Sequence, residues 1–349
     1  MHTDRRPVVL ITGSEGFIGD ALAQALEPRY RVAGFDVRRP HKAAPALRFI
    51  HCDLADDGSV RTALDELRRH CGSHIASVVH LAGYDDDGLS PLSHEHTVNS
   101  AARLLRGLRD FEVDQFIFCS TPIAANPFAH EAYPQPKLEA ERVLQREHGS
   151  IPVVILRIGG VYDEQGHTAP IAQQIDRIAR KDLQSYLFPG DRGNWQAYVH
   201  LDDLVDLVRR AIDRRDAMGS YEVFLVAEPD KMEYAELREQ IGRLVHGESW
   251  RTVRIPKVVA RVGAWVTNQL NDESFLRPWT IDVADDDYPI PIDQARDKLG
   301  WNPQRRLRAT LPAIVANMKR DPEAWRELNG IPNLAGGDAG KQKERQGKA

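Results

Sequence analysis

Short apolar runs alternate with helical patterns through the first half of the chain, and this alternation restricts the fold more than any other feature. The strand-like runs are Val8–Thr12, Arg31–Asp36 and residues 77–81, 115–120 and 153–157. The helical patterns between them are Phe17–Leu26 and residues 59–71, 97–110 and 137–148. Strands that alternate with helices predict an α/β fold, in which a doubly wound parallel sheet carries helices on both faces.

The second half of the chain is dominated by helical patterns with only short strands between them. These patterns cover residues 170–181, 202–214, 234–245 and 257–270. They predict a smaller, mainly helical domain whose contributions are discontinuous in sequence. We expect the first domain at residues 1–160, with later segments returning to it near 195–215, and the second mostly at 161–330. Residues 334–349 lack a regular apolar pattern and predict a disordered tail.

Charge, hydrophobicity and cysteine content narrow the class of protein. The 349 residues carry 46 Lys and Arg against 51 Asp and Glu, so no basic excess indicates a nucleic-acid partner. The apolar runs are too short to cross a bilayer, and the chain enters a strand by Val8, which leaves no room for a signal peptide. The three cysteines, Cys52, Cys71 and Cys119, have no paired spacing. We therefore expect a cytoplasmic protein without a bound metal.

A glycine-rich turn joins the first strand to the first helix. Gly13, Gly16 and Gly19 follow the strand at three-residue intervals, with Glu15, Phe17 and Ile18 between them. Glycines here permit a tight turn, a close approach of the backbone to a pyrophosphate, and close packing of helix on strand. The helix N-terminus then faces the phosphates. The turn predicts a Rossmann-type dinucleotide site, although its spacing is G-x-x-G-x-x-G and not G-x-G-x-x-G.

Other candidate cofactor residues stand where later strands end. Asp36 ends the second strand, where a carboxylate accepts both ribose hydroxyls of NAD and repels the 2′-phosphate of NADP. Arg38 and Arg39 follow and would instead pair with that phosphate, but the carboxylate favours NAD. The remaining candidates are Asp53, Leu54, Leu81, Ala82 and Gly83.

Tyr133 and Lys137 are the candidate catalytic pair. They are four residues apart at the predicted start of a helix, so both side chains lie on one face. A nearby ammonium favours phenolate, and a tyrosine tuned in this way can exchange a proton with a carbinol oxygen. Ser120 and Thr121, at the end of the preceding strand, offer hydroxyl groups to hold the substrate oxygen.

These motifs together resemble the extended short-chain dehydrogenase/reductase family, also called the NAD-dependent epimerase/dehydratase family, over roughly residues 7–330. Beyond the turn, Asp36 and the Tyr133-x-x-x-Lys137 spacing, the resemblance rests on more motifs. These are Asp53-Leu54, His80-Leu81-Ala82-Gly83, Asn99, Ser120-Thr121, Leu156-Arg157, Tyr198-Val199-His200-Leu201-Asp202-Asp203 and Leu299-Gly300-Trp301-Asn302-Pro303.

The resemblance assigns roles to several of these residues. It implies that Tyr133 is the acid/base, that Lys137 also binds the nicotinamide ribose, and that Thr121 matches the catalytic hydroxyl best, with Ser120 one residue before it. It places Asn99 near the cofactor. It also implies a homodimer formed by the helices at 97–110 and 137–148. His200, Asp202 and Asp203 fit a strand end and a helix cap better than chemistry.

The chain departs from the family where nucleotide-sugar members hold a diphosphate. Gly160 stands where they have an asparagine, and Gln196 where they have an arginine. The segment expected to supply a second arginine contains Asp285–Asp287 instead, and a further acidic run, Asp85–Asp87, follows the strand-like run at 77–81. Carboxylates repel a diphosphate, and the alternative ligands Arg192 and Arg277 do not stand in the usual places.

The sequence therefore predicts an NAD-dependent oxidoreductase that acts on a secondary alcohol or ketone of a small polar or cyclic substrate. Two alternatives remain open. One is a nucleotide-sugar epimerase or dehydratase, in which the hydride returns to the substrate. The other is a non-catalytic NAD sensor, although the Tyr133 and Lys137 pair counts against that reading.

Overall fold

The computed structural model describes residues 5–40, 47–83, 91–122, 136–189, 196–255 and 291–332. Its strands are β1 (Val8–Thr12), β2 (Arg31–Asp36), β3 (Leu47–His51), β4 (His74–Ile75), β5 (Ser77–His80), β6 (Glu112–Val113), β7 (Phe116–Ser120), β8 (Val153–Ile158), β9 (Gly160–Tyr162), β10 (Leu187–Pro189), β11 (Tyr198–His200), β12 (Tyr221–Val226) and β13 (Val253–Ile255). Its α-helices are α1 (Phe17–Leu26), α2 (Asp57–Cys71), α3 (Pro91–Gly107), α4 (Pro136–Glu147), α5 (Ala169–Ala179), α6 (Leu201–Asp213), α7 (Tyr234–His246), α8 (Asp293–Leu299), α9 (Leu307–Arg320) and α10 (Pro322–Leu328).

A seven-stranded sheet in the order β12-β8-β7-β5-β1-β2-β3 forms the centre of the molecule. Every neighbouring pair in it is parallel, which confirms the expected doubly wound α/β class. The chain winds outward from β1 in one direction through β2 and β3, and in the other through β5 and β7. The order therefore reverses between β1 and β5, and their carboxyl ends flank the crevice in which such sheets bind ligands.

The central strands are apolar throughout because both faces of the sheet are covered. Val9 and Ile11 of β1 lie in one buried cluster with residues of α1 and α6, whereas Leu10 lies in a second cluster with residues of α2, α3 and α4. Side chains alternate between the faces of a strand, so a strand buried on both faces reads as a continuous apolar run.

A mainly helical lobe follows the first part of the sheet. Helices α5, α7, α9 and α10 pack around a third buried cluster that includes Ile175, Leu237, Leu311 and Trp325. Two short parallel pairs, β9 with β11 and β10 with β13, belong to this region. No helix in the described part of the chain has the length and apolar character of a membrane span.

Two segments from the second half of the sequence return to the first lobe. Helix α6 contacts α1, and β12 pairs with β8 as the edge strand of the main sheet. The sequence pattern did not identify this seventh strand, because Tyr221, Glu222 and Val223 are only partly buried and mix polar with apolar character.

The described helices also differ slightly from the patterns. Helix α3 begins at Pro91, before the predicted 97. The prediction began too late because Leu92 is the only large apolar residue at 91–96, so this part of the helix shows no apolar period. It ends at Gly107 and is followed by a single 3₁₀ turn at Leu108–Asp110. The helix predicted at 257–270 and the tail predicted at 334–349 lie outside the described residues.

Candidate active site

The glycine-rich turn lies at the carboxyl end of β1 and requires glycine at two positions. Gly13 has φ +73°, a backbone region that favours glycine, and its amide donates to the Phe35 carbonyl at 2.8 Å. A Cβ at Gly19 would stand 2.2 Å from the Gly13 carbonyl oxygen, so only glycine lets α1 pack this closely. The first turn of α1, which Phe17 and Ile18 open, is thereby presented to the crevice with amides that have no partner within the helix.

Asp36 is buried at the carboxyl end of β2, beside this turn. Its Oδ2 accepts the Glu15 amide at 3.0 Å, and its Oδ1 accepts the Arg38 amide at 2.9 Å. The Arg38 Nε lies 3.6 Å from Oδ1. The carboxylate is thus fixed at the edge of the turn with a guanidinium alongside.

Val37 is a residue of this region that the sequence analysis missed. Its side chain is 55% exposed although it directly follows a buried strand. An exposed apolar side chain at this place offers a flat surface to an aromatic ring. Its position after the strand-ending Asp36 was the available signal.

The other cofactor candidates occupy less distinctive places. Asp53 is exposed, and its Oδ1 accepts the Ala55 amide at 2.8 Å, so the carboxylate shapes a local turn. Leu54 is buried in the core beneath that turn. Asn99 is exposed on α3.

The segment after β5 meets the glycine-rich turn directly. The Leu81 amide donates to the Thr12 carbonyl at 3.1 Å, and the Ala82 amide donates to Thr12 Oγ1 at 3.3 Å. A Cβ at Gly13 would lie 3.0 Å from the Ala82 nitrogen. Residues 81–83 therefore form the far wall of the crevice that the sheet order marks out.

His80 fastens this wall to β1 from inside the sheet. Its Nδ1 lies 2.9 Å from Thr12 Oγ1, and the ring stacks against Phe118. Complete burial, and to a lesser degree the charge of Lys137, lower the pKa of His80 to about 3. The imidazole is therefore neutral at physiological pH and serves the structure of the crevice.

Lys137 reaches the same edge of the sheet from the start of α4. Its Nζ donates to the Cys119 carbonyl at 2.9 Å and lies 4.9 Å from the centre of the Phe118 ring. A Cβ at Gly83 would be 3.7 Å from this nitrogen. Burial lowers the pKa of Lys137, although Cys119 and Glu141 oppose the shift.

Ser120 is engaged with a buried ion pair. Its hydroxyl donates to Glu141, whose other oxygen accepts Arg157 Nη2 at 2.7 Å. Glu141 is the second residue that the sequence analysis missed, and the available signal was its position four residues after Lys137 on the same face of α4. Thr121 follows β7 and is partly buried at the sheet edge.

Several candidate residues fall in segments that the structure leaves undescribed. Among them is Tyr133, so the distance from its hydroxyl to Lys137 is not part of the described geometry. The others are the two acidic runs Asp85–Asp87 and Asp285–Asp287, together with Arg192 and Arg277. Within the described ranges, no group of three or more His, Cys, Asp or Glu side chains could hold a metal ion.

The positions where the family's nucleotide-sugar members bind a diphosphate are filled differently here. Gly160 of β9 lies opposite Tyr198 of β11, and a Cβ at Gly160 would stand 2.9 Å from Tyr198 Cδ1 and 3.1 Å from Thr168 Oγ1. The Tyr198 hydroxyl donates to Gln196 Oε1 at 2.9 Å. An aromatic ring therefore occupies the space into which an asparagine at position 160 would extend.

His200 and Asp203 serve the structure, as the sequence analysis expected. The His200 side chain caps the N-terminus of α6 by accepting the Asp202 amide at 3.1 Å. Asp203 accepts the amides of Gln304 and Arg305, at 2.9 and 2.7 Å, and so ties the segment before α9 to α6.

Known proteins similar to this chain share most of its length. A dTDP-4-dehydro-6-deoxy-D-allose reductase of Streptomyces bikiniensis is 25% identical over 67% of this chain and 79% of its own length. A UDP-glucose 4-epimerase of Vibrio cholerae is 26% identical over 86% of this chain and 92% of its own.

Solved structures with the same fold include a UDP-glucose 4-epimerase of Thermotoga maritima in complex with UDP-glucose. It has a TM-score of 0.65 and 22% identity, and the match covers 90% of this chain and 99% of that one. An Agrobacterium tumefaciens short-chain dehydrogenase/reductase superfamily protein with bound NAD also has a TM-score of 0.65, at 18% identity, over 92% of this chain and 99% of that one.

Residues 9–227 match the sequence profile of the NAD dependent epimerase/dehydratase family. The match spans the glycine-rich turn, Lys137 and β12, and it covers more than half of the chain. The resemblance found in the sequence motifs is thereby confirmed, and the protein belongs to the NAD-dependent epimerase/dehydratase family.

Proposed function

We propose that this protein is an oxidoreductase that prefers NAD to NADP and transfers a hydride at a secondary alcohol or ketone of a small polar or cyclic substrate. The observation that carries the proposal is the position of Lys137. Its ammonium stands beside Gly83, in the wall that contacts the glycine-rich turn, at the point where the strand order reverses. That is where a sheet of this type binds its dinucleotide.

The residues at the crevice fit an NAD molecule. The amides at the start of α1 suit its pyrophosphate, the fixed Asp36 carboxylate suits the adenosine ribose diol, and the exposed Val37 suits the adenine. The close contact between Gly13 and Ala82 leaves a narrow, backbone-lined floor. When bound, NAD supplies the acceptor or donor of the hydride.

The proton in this reaction is assigned to Tyr133, with Lys137 as its electrostatic partner. A buried ammonium favours the phenolate, and the contact with the Cys119 carbonyl keeps Lys137 pointed toward the crevice. Thr121 is preferred to Ser120 as the hydroxyl that orients the substrate oxygen, because the Ser120 hydroxyl already donates to Glu141.

The substrate is proposed to lack a nucleotide diphosphate. A diphosphate carries about two negative charges, and removing them from water without paired donors costs several kcal/mol. Gly160 and Gln196 offer no cation, and the Tyr198 ring occupies the space beside Gly160. A hydroxyl-rich or ring-shaped neutral substrate needs no such cation.

A nucleotide-sugar epimerase is the second candidate, and its support is the similarity to relatives named as UDP-glucose 4-epimerases. UDP-glucose carries a diphosphate, and the positions Gly160 and Gln196 supply no charged ligand for it. A non-catalytic NAD sensor is the third, and it would not need Lys137 at the crevice.

The protein is proposed to be a homodimer in the cytoplasm. The pairing of α3 with α4 supplies the two helices for a four-helix interface, and the described cysteines are free thiols. Light scattering at micromolar concentration tests the dimer, and a monomer would contradict it.

The test of function is a panel of ketones and secondary alcohols, monitored by NADH absorbance. We expect one substrate class to change the NADH concentration in proportion to turnover. Calorimetry with UDP, UDP-glucose and dTDP-glucose in the presence of NAD is the control. Micromolar binding of any of them, with turnover but no net NADH change, would favour the epimerase. NAD binding without any turnover would favour the sensor.

A further inference from the structure

A loop of the helical lobe reaches across to the glycine-rich turn at one aromatic contact. His167, between β9 and α5, stacks on Phe17, the first residue of α1, with ring centroids 4.0 Å apart and planes inclined by 20°. A phenylalanine ring centre lies about 4 Å from its own Cα by covalent geometry. The imidazole is thus close to the end of α1 that would receive the pyrophosphate.

The loop holds this histidine firmly. His167 has φ +53°, which is uncommon for a residue with a side chain, and its amide donates to Asn329 Oδ1 at 2.8 Å. The Asn329 Nδ2 donates to the Gln165 carbonyl at 3.0 Å, and Asn317 Nδ2 donates to the Glu164 carbonyl at 2.7 Å. Residues from the end of the described chain therefore fix the loop against the cofactor turn.

Asp163 orients the histidine ring. Its Oδ1 lies 2.8 Å from His167 Nδ1 and also accepts the Gln165 amide at 2.8 Å. Burial by itself would raise the pKa of Asp163, but the contact with His167 and the amides of Gln165 and Gly166 lower it overall. An ionised Asp163 can only accept, so it takes the hydrogen bond from Nδ1–H of the ring. Nε2 makes no hydrogen bond to any described residue.

The opposite side of the crevice is short of positive charge. Glu15 lies in the turn itself, near Asp36 and Asp20, and the cation that acts on it is Arg38. Arg38 is already beside Asp36, 3.6 Å from its Oδ1. Three carboxylates therefore lie at or near this turn with one guanidinium among them, and a hydrogen-bond donor from the other lobe would favour a pyrophosphate bound there.

We propose that His167 completes the diphosphate site from the helical lobe, and that its ring, held at Nδ1 by Asp163, donates from Nε2 to the pyrophosphate of the bound dinucleotide when both ring nitrogens carry a proton. This inference rests on the dinucleotide binding of the proposed function. It assigns His167 a ligand-binding role and Asp163 a positioning role. It also places the contact between the helical lobe and the cofactor at the stack of His167 on Phe17.

The test distinguishes the contribution of the pyrophosphate to binding from that of the adenosine. Binding of ADP-ribose and of adenosine is measured by competition with NADH fluorescence, for the wild type and for His167→Phe, which keeps an aromatic ring on Phe17 but removes the donor. We expect ADP-ribose to bind about 10-fold more weakly, the usual scale of one charge-assisted hydrogen bond in a part-exposed site, while adenosine changes by less than about 2-fold.

The matched control is His74→Phe. His74 also pairs with an aspartate, Asp114, at 2.9 Å, but it lies on β4, outside the crevice. Neither ligand should change its affinity in that variant. Equal weakening of both ligands by His167→Phe, or no weakening of ADP-ribose, would overturn the inference.

Asp163→Asn provides a second route if His167→Phe fails to fold. It keeps the imidazole but removes the carboxylate that holds Nδ1, so ADP-ribose should bind about 3-fold more weakly with adenosine unchanged. Unchanged ADP-ribose affinity would overturn the inference by this route. Wild-type protein that binds neither NADH nor ADP-ribose would defeat the proposed function itself, which is a separate result.

Discussion

Replacement of Asp36 by asparagine should reduce the preference for NAD over NADP. The wild-type carboxylate is 5% exposed and accepts two backbone amides, from Glu15 and Arg38. The asparagine side chain has a similar shape but only one accepting oxygen, and its amide group cannot accept from the second N–H. The variant therefore loses one amide contact of the turn together with the charge that would meet the ribose diol.

The magnitude follows from the contacts. A hydrogen bond to a charged group contributes about 1.5–3 kcal/mol, so NADH should bind about 10- to 100-fold more weakly to Asp36→Asn. NADPH should bind more tightly, because the repulsion of its 2′-phosphate disappears and Arg38 is released from its partner. An exposed ion pair is worth about 1 kcal/mol at most, so this gain should be about 5-fold. The ratio of the two affinities should change by roughly 100-fold.

The assay is titration of NADH and NADPH by fluorescence, with two further variants. In Asp36→Asn/Arg38→Ala the gain for NADPH should disappear, because the guanidinium that would meet the phosphate is absent. Asp182→Asn is the control, since Asp182 also accepts a local amide, that of Gln184 at 2.8 Å, in the helical lobe. Tighter binding of NADPH than of NADH by the wild type, or an unchanged ratio in Asp36→Asn, would refute the reasoning.

Three further predictions concern catalysis and stability. Tyr133→Phe should leave NADH binding intact and lower turnover at least ~100-fold, the scale of general acid–base catalysis, whereas Lys137→Ala should weaken both; near-normal turnover of Tyr133→Phe would exclude its role. Glu141→Gln should lower the free energy of unfolding, measured in urea, by about 2–3 kcal/mol, because Arg157 is only 19% exposed and loses its partner; an unchanged midpoint would show that the pair contributes little. Burial raises the pKa of Glu228 to about 7. Between about pH 4.5 and pH 7 the folded protein therefore keeps this proton while the unfolded chain has lost it. The free energy of unfolding should consequently fall as the pH rises through this range. Glu228→Gln should flatten that fall, and identical pH profiles would contradict the assignment.

The parts of the site that sequence could predict are those fixed by local backbone geometry. Gly13 and Gly19 are required by a turn and a helix contact within seven residues of each other, and Asp36 ends a strand beside that turn. The spacing of Glu141 from Lys137 indicates a shared helix face but not its partners, Ser120 and Arg157, which come from two separate strands. Contacts of this kind depend on the packing of distant segments, which no local spacing reveals.

The same distinction applies to the fold. Apolar runs indicated the strands that are buried on both faces, and their alternation with helices predicted the parallel sheet. The edge strand β12 was missed because Tyr221 and Glu222 are partly exposed and give it a mixed pattern. The stack of His167 on Phe17 was also invisible, since it depends on how one lobe meets the other.

The cofactor side and the substrate side of the crevice are constrained differently. This difference explains why the chain resembles nucleotide-sugar enzymes over most of its length and yet need not share their substrate. Hydride transfer demands that the cofactor be held in one geometry, and so a turn such as Gly13–Gly19 and a lysine such as Lys137 tolerate little change. Substrate affinity has no such restriction, because many different contacts can supply the same free energy. Gly160 and Gln196 are changes of this second kind, because they stand where the resemblance expects an asparagine and an arginine while the strands β9 and β11 stay paired. Membership of the family therefore indicates the chemistry of the cofactor, and the departures at Gly160 and Gln196 bear on the proposed substrate and not on the cofactor.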